Sequence, residues 1–155
     1  MSKFVLLLFL LVIVSSKKSK EYALKATKYC EVNDPAIQSK AESLKKSNVL
    51  DTAKKIFSFV QLKIEYEKYA NTRKGAVKTL KEKKGNCADQ AHLLVALFRA
   101  AGIPARYVHG TDHYWTQCYV NGKIYDCDPT NSHHHFGKRF NDGKKVKEYL
   151  YELDH

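Results

Sequence analysis

Arginine is scarce in this chain: 4 residues against 23 lysines. Bidentate readout of nucleic-acid bases favours Arg, and no nucleic-acid motif accompanies the formal charge of +11. A nucleic-acid partner is therefore not expected. Lysine clusters such as Lys81-Glu82-Lys83-Lys84 and Lys144-Lys145 read as a solvated face. A basic surface is also attracted to an anionic wall or membrane. Long apolar runs are missing too. The longest, Phe4 to Val14, has eleven residues, whereas a spanning helix needs about 20. It follows Lys3 and precedes Ser15-Ser16-Lys17-Lys18, which reads as a secretory signal peptide over residues 1–16. The other readings are an uncleaved short anchor and an apolar element of the core. Internal repeats and low-complexity linkers are absent, which excludes a solenoid or array. Residues 17–155 are expected to form one secreted or surface domain, a monomer with one modest core.

Cysteines are few: Cys30, Cys87, Cys118 and Cys127. In an oxidising exterior an even count suggests disulfides. The hairpin register below makes Cys118 and Cys127 diagonal neighbours, about 7–8 Å apart at Cα, too far for an unstrained bridge. Four free thiols are expected, and these suit an exported protein in an anaerobic habitat. A Cys30 pairing with Cys118 or Cys127 is the alternative.

Cys87 stands apart from the other three. In Gly85-Asn86-Cys87-Ala88-Asp89-Gln90 a polar turn becomes a long apolar helix. Asn86 is an N-cap, and Asp89 is placed like the partner of a capping box. Cys87 takes the first helical position, where unpaired N–H groups and the helix dipole favour thiolate over thiol. The helix runs from Asn86 to about Ala101. Gly102 ends it and Pro104 prevents its continuation. It is apolar nearly all round, so it belongs at the centre of the fold. The alternative is that Cys87 is a small inert residue that starts a helix.

Strands are predicted over Ala105–His109, His113–Val120 and Lys123–Asp128. Asn121-Gly122 joins the last two as a two-residue hairpin turn. That turn fixes the register: Val120 opposes Lys123, Gln117 opposes Asp126, and Trp115 opposes Asp128. His113, Trp115, Gln117, Asp126 and Asp128 then share one face. Asp128 is the diagonal neighbour of His113, within reach of an imidazole–carboxylate hydrogen bond. A nucleophilic thiolate needs a base, and the base needs an orienting group. Cys87, His113 and Asp128 are the candidates for these roles. Earlier in the chain, Asp34-Pro35 opens a helix carrying Ile37, Ala41 and Leu44. A second helix starts near Asp51-Thr52, and Gly75 to Lys84 forms a short basic one.

Four blocks resemble the transglutaminase-like superfamily of cysteine peptidases. They are Gly85-Asn86-Cys87-Ala88-Asp89-Gln90, Ala101 through Gly110, His113-Tyr114-Trp115, and Asp126-Cys127-Asp128-Pro129-Thr130. The resemblance implies an α+β, transglutaminase-like (papain-like) core, with helices packed on an antiparallel sheet. It implies a triad at Cys87, His113 and Asp128, the three residues reached from local pattern. Three other blocks are similar to surface proteins of methanogenic archaea, among them pseudomurein endoisopeptidases. These are Lys25 through Cys30, Tyr69 through Val77, and Asp89 through Leu94. That likeness implies cleavage of isopeptide bonds in cell-wall peptides. The chain departs from it in two ways. Only Gly110-Thr111-Asp112 separates the first strand from His113, where those proteins have a longer loop, and wall-binding repeats are absent.

The expected chemistry is attack of Cys87 on an amide or isopeptide carbonyl, through a thioester, with no cofactor and under reducing conditions. The Cys87 N–H is one oxyanion donor. Gln61 and Tyr66 are candidates for the second. Trp115 is either a substrate platform or a half-buried core aromatic. Amine transfer and a non-catalytic wall-binding or adhesion domain are the rival functions. Adjacent His133, His134 and His135 point in different directions on a strand or loop. They suit a mobile loop near the cleft better than a metal cage.

Overall fold

The computed structural model describes residues 23–70, 72–138 and 146–150. The Phe4–Val14 run lies outside them. No helix among the described residues is long and apolar enough to cross a membrane.

Helix α1 spans Pro35–Leu44. The Asp34 carboxylate accepts from the Ala36 N–H at 2.8 Å, and Pro35 fills the first position, where its missing N–H costs nothing. Ile37, Ala41 and Leu44 are buried. Helix α2 spans Val49–Lys63 and begins earlier than the sequence predicts. Asn48 is its cap. The Asn48 Oδ1 accepts from the Asp51 N–H at 2.8 Å, and its Nδ2 donates to the Asp51 carboxylate at 2.7 Å. Asp51 is therefore the reciprocal partner of the cap and not the cap itself. Strand β1 is the pair Glu65–Tyr66. Helix α3, Ala76–Glu82, lies inside the predicted basic segment. Strand β2, Lys84–Gly85, leads into helix α4, Cys87–Ala100.

Helix α4 is the axis of the fold. Every residue from Ala88 to Arg99 is buried. It packs against α1, α2 and α3 on one side. On the other it meets two strands, β3 (Ala105–Gly110) and β4 (Tyr114–Val120). Gly102 at φ +78° ends it, and the Ile103 N–H returns to the Phe98 carbonyl at 2.8 Å. That left-handed terminal glycine turns the chain into β3.

The sheet is completed by β5 (Lys123–Cys127) and β6 (Val146–Leu150), in the order β5-β4-β3-β6, antiparallel throughout. Asn121 and Gly122 both have positive φ, 51° and 81°, as a two-residue hairpin turn requires. The β4–β5 register pairs Val120 with Lys123, Gln117 with Asp126 and Thr116 with Cys127, as the turn predicts. Sequence patterning indicated no strand at β6. The result is the α+β, papain-like arrangement, with the first residue of a buried central helix beside the start of β4.

Asp89 differs from expectation. The Asn86 cap does accept from the Asp89 N–H, at 3.0 Å, but the Asp89 side chain does not return to the cap. It is fully buried and holds the segment before α3. Its carboxylate accepts from the Lys74 N–H at 2.8 Å, the Gly75 N–H at 3.2 Å, His92 Nδ1 at 3.4 Å and the Tyr69 hydroxyl. Tyr69 in turn accepts from the Asn86 N–H at 3.2 Å. Burial raises the Asp89 pKa, but the bonds from His92, Tyr69, Lys74 and Gly75 outweigh it and leave it below the usual carboxylate value. A depressed folded-state pKa stabilises above the unfolded value of about 3.9, and that stability is lost as pH falls through the folded value. Asp89→Ala is expected to cost about 3 kcal/mol at pH 7, because four donors lose their acceptor. Urea unfolding at pH 7 and pH 3 checks this: the gap between wild type and variant should narrow in acid.

Candidate active site

Three separate elements bring their side chains together at the start of α4. Cys87 occupies the first position of the helix, partly buried. His113 ends the short turn between β3 and β4, a turn closed by the Gly110 N–H on the His113 carbonyl at 2.8 Å. Asp128 follows β5 directly. His113 Nε2 donates to Asp128 Oδ2 at 2.7 Å. The imidazole also lies beside Cys87, near enough for each to shift the other's pKa. Because Nε2 is taken by the carboxylate, Nδ1 is the nitrogen left for the thiol.

Asp128 is nearly inaccessible and His113 slightly exposed, with side chains 2% and 12% exposed. Thr130 donates to Asp128 Oδ1 through its hydroxyl at 2.7 Å and its N–H at 3.2 Å. The other oxygen is thus left facing the imidazole. Asp126 is occupied elsewhere. It accepts from Trp115 Nε1 at 3.1 Å and Gln117 Nε2 at 2.9 Å.

The electrostatics follow from these contacts. Burial raises the Cys87 pKa. Hydrogen bonds from His113 and from the Tyr114 and Ala88 N–H groups outweigh it, and the thiol lies below its ordinary value. Burial lowers the His113 pKa, but bonds to Asp128 and Cys87 push it up to about 9. Burial also raises Asp128, but His113, Thr130 and His134 hold it below the usual carboxylate value. All three shifts favour a thiolate–imidazolium pair backed by a carboxylate.

Tyr66 joins these residues through a pairing too short to see in sequence. The parallel β1–β2 ladder sets Tyr66 opposite Gly85, two residues before Cys87. The Glu67 N–H on the Gly85 carbonyl, at 3.1 Å, holds that register. The phenol lies beside Cys87. Burial raises its pKa first, and nearby Cys87 and Asp128 raise it further. It therefore stays an O–H donor.

Two candidate residues prove to have other tasks. Gln61 donates from Nε2 to the Asn131 carbonyl at 2.7 Å and to the His134 carbonyl at 2.8 Å. Both its N–H groups are spent, so it cannot serve as an oxyanion donor in this geometry. Trp115 is 1% exposed, not half-buried, and offers no platform to a substrate. Its ring stacks against His113 at 6.0 Å between centroids and supports the imidazole from below.

The three-histidine loop is near the cleft, as expected, but is tied down. Besides the Gln61 clamp, His134 Nδ1 donates to the Asp128 carbonyl at 3.1 Å and lies 3.3 Å from Asp128 Oδ2. The Gly137 N–H reaches the Asp126 carbonyl at 2.9 Å. No group of three metal-ligating side chains is present among the described residues.

All four cysteines carry free thiols. Cys118 and Cys127 place their sulfurs 3.9 Å apart, well beyond the roughly 2.05 Å of a disulfide. Cys30 is fully buried, and burial raises its pKa despite Arg99 and Tyr107 nearby.

Comparison with known proteins agrees with this architecture. A family model described as the transglutaminase-like superfamily matches residues 38–129, more than half of the chain. Among solved structures, a candidate cysteine protease from Cytophaga hutchinsonii is 30% identical, with a TM-score of 0.63 over 70% of this chain and 40% of its own. The periplasmic domain of TgpA from Pseudomonas aeruginosa is 18% identical, with a TM-score of 0.58 over 74% of this chain and 47% of its own. A candidate protease from Parabacteroides distasonis is 17% identical, with a TM-score of 0.56 over 69% and 24%. This chain spans less than half the length of each. No curated protein matches the sequence. The family model covers α2, α4 and β3 to β5, the elements that bring Cys87, His113 and Asp128 together, and the chain belongs to the transglutaminase-like superfamily.

Proposed function

We propose that the chain is a thiol hydrolase of amide or isopeptide bonds, with Cys87 as nucleophile, His113 as acid–base and Asp128 as the residue that orients it. The observation that carries this reading is the 2.7 Å His113–Asp128 bond, with that imidazole set beside Cys87 at the start of a buried helix. The Cys87 thiolate attacks the carbonyl carbon, and the C=O electron pair moves to oxygen. The tetrahedral intermediate collapses, the C–N bond breaks, and His113 gives its proton to the departing amine. Water then attacks the thioester while neutral His113 takes its proton, the C–S bond breaks to return the Cys87 thiolate, and the carboxylic acid leaves. Asp128 fixes the ring and balances the imidazolium charge.

The oxyanion meets the N–H at the start of α4 and the Tyr66 hydroxyl. Tyr66→Phe removes one donor and leaves the ring in place. It should lower kcat about 10²-fold, the lower end of what one donor contributes, since the phenol is half-exposed. Unchanged kcat with full folding would remove Tyr66 from this role.

The substrate we propose is a cell-wall peptide, with pseudomurein cross-links first, on the strength of the methanogen-like blocks at residues 25–30, 69–77 and 89–94. The test is incubation with isolated pseudomurein and with bacterial peptidoglycan, under reducing, anaerobic conditions. Release of new amines from pseudomurein, read by mass spectrometry, supports the reading. Release from peptidoglycan alone moves the substrate to bacterial walls. Incorporation of an added amine in place of hydrolysis makes the protein an acyl transferase.

A further inference from the structure

The proposed chemistry leaves the cleft beside Cys87 without an occupant. The cleft measures about 440 Å³ and lies between the end of α2, β1 and the segment 129–132. Tyr66 forms part of its wall and lies beside Cys87. Thr130, which binds Asp128, forms another part. The cleft and the nucleophile therefore share a boundary.

Gln90 also lines this cleft. It is three residues beyond Cys87 on α4, so the two lie on one helix face, and its side chain leans back toward the helix start. It is 1% exposed. Its Nε2 donates to the Gly85 carbonyl at 3.2 Å and to the Ile64 carbonyl at 3.5 Å. Carbonyls only accept, so those bonds fix which end of the amide is nitrogen. The Oε1 is buried and has no hydrogen-bond partner among the described residues. An unpaired buried acceptor is costly, and a donor brought in from the cleft would remove that cost. Charge narrows the choice of donor. Lys63 and Lys83 line the cleft against one acid, Glu65. A positive rim disfavours an ammonium donor and favours a neutral N–H with a carboxylate nearby.

We propose that this cleft is a substrate subsite for a peptide with an acidic side chain, in which Gln90 Oε1 accepts a backbone N–H and Lys63 and Lys83 meet the carboxylate. The proposal rests on Cys87 as the nucleophile. It would select acidic peptides as acyl donors for the thioester.

Affinity labelling of the full chain tests this without a known substrate. The probes are acetyl-tripeptide chloromethyl ketones with Glu, Leu or Lys in the middle position. A second set is N-methylated at each backbone nitrogen in turn. Alkylation of Cys87 is followed by mass spectrometry and expressed relative to iodoacetamide. The Glu label should react about 5–10-fold faster than the Lys label, and N-methylation at one position should slow it about 3–10-fold. Lys63→Glu with Lys83→Glu should reverse the charge preference. Gln90→Met should make the N-methylated and parent labels equal. If Gln90→Met fails to fold, the N-methyl scan on wild type and the charge reversal still decide. If iodoacetamide alkylates Cys87 but the peptide labels react alike, the subsite is wrong and the nucleophile stands. If Cys87 is not alkylated at all, the nucleophile fails and the subsite fails with it.

Discussion

Cys87→Ala should abolish turnover, a loss of roughly 10⁵–10⁶-fold if other nucleophilic enzymes are a guide. The other three cysteines are buried beyond the reach of a substrate. Burial also raises the pKa of Cys30 and Cys127, which keeps them as thiols. Cys118→Ala and Cys127→Ala should therefore keep most of the activity, because each removes one sulfur from a buried pair. Turnover assays on the three single variants, with circular dichroism to confirm folding, check this. A folded Cys118→Ala without activity, beside an active Cys87→Ala, would overturn the assignment.

His113→Ala should lose nearly all turnover, since it removes the acid, the base and the partner that ionises Cys87. Asp128→Ala should lose about 10²–10⁴-fold, because orientation is worth less than the base itself. Asp126→Ala should affect the rate less than Asp128→Ala, since Asp126 acts on Trp115 and Gln117 and reaches His113 only through the stacked indole. The pH profile carries a second signature. Activity needs the Cys87 thiolate and the His113 imidazolium together. The rising limb of kcat/KM should fall below the ordinary thiol value, and the falling limb near pH 9, where His113 loses its proton. Asp128→Ala removes the strongest support of the imidazolium, so its falling limb should move to lower pH. An active Asp128→Ala beside an inactive Asp126→Ala would contradict the geometry.

Much of this was legible because local rules and tertiary demands coincide. Asn86 caps α4, Gly102 ends it, and Asn121-Gly122 sets the register that brings Asp128 to His113. Each is decided by a few neighbouring residues. The misreadings share a different cause. Asp89 stands where a capping box would place an acid, yet the Tyr69–Gly75 segment supplies better donors and draws the side chain inward. An acid on a helix apolar nearly all round was the available sign of a buried role. Gln61 has a suitable donor, but the Asn131–His134 loop claims it, and that partner is remote in sequence; Trp115 is the core aromatic of its two readings, more deeply buried than expected. Tyr66 is positioned by a two-residue parallel pair, and strands that short leave no periodicity. Strand β6 has no partner close in sequence and pairs with β3 across a long interval.

The most direct test of the account is the pH dependence of Cys87 alkylation by iodoacetamide, in wild type and in His113→Ala, under reducing conditions before the reagent is added. It needs no substrate and reads the thiolate itself. Wild-type Cys87 should react at pH 6 and titrate clearly below the ordinary thiol value of about 8.5, while His113→Ala should move that titration upward. A wild-type Cys87 that titrates at the ordinary value, or that His113→Ala leaves unshifted, would contradict the thiolate–imidazolium pair on which the proposed function rests.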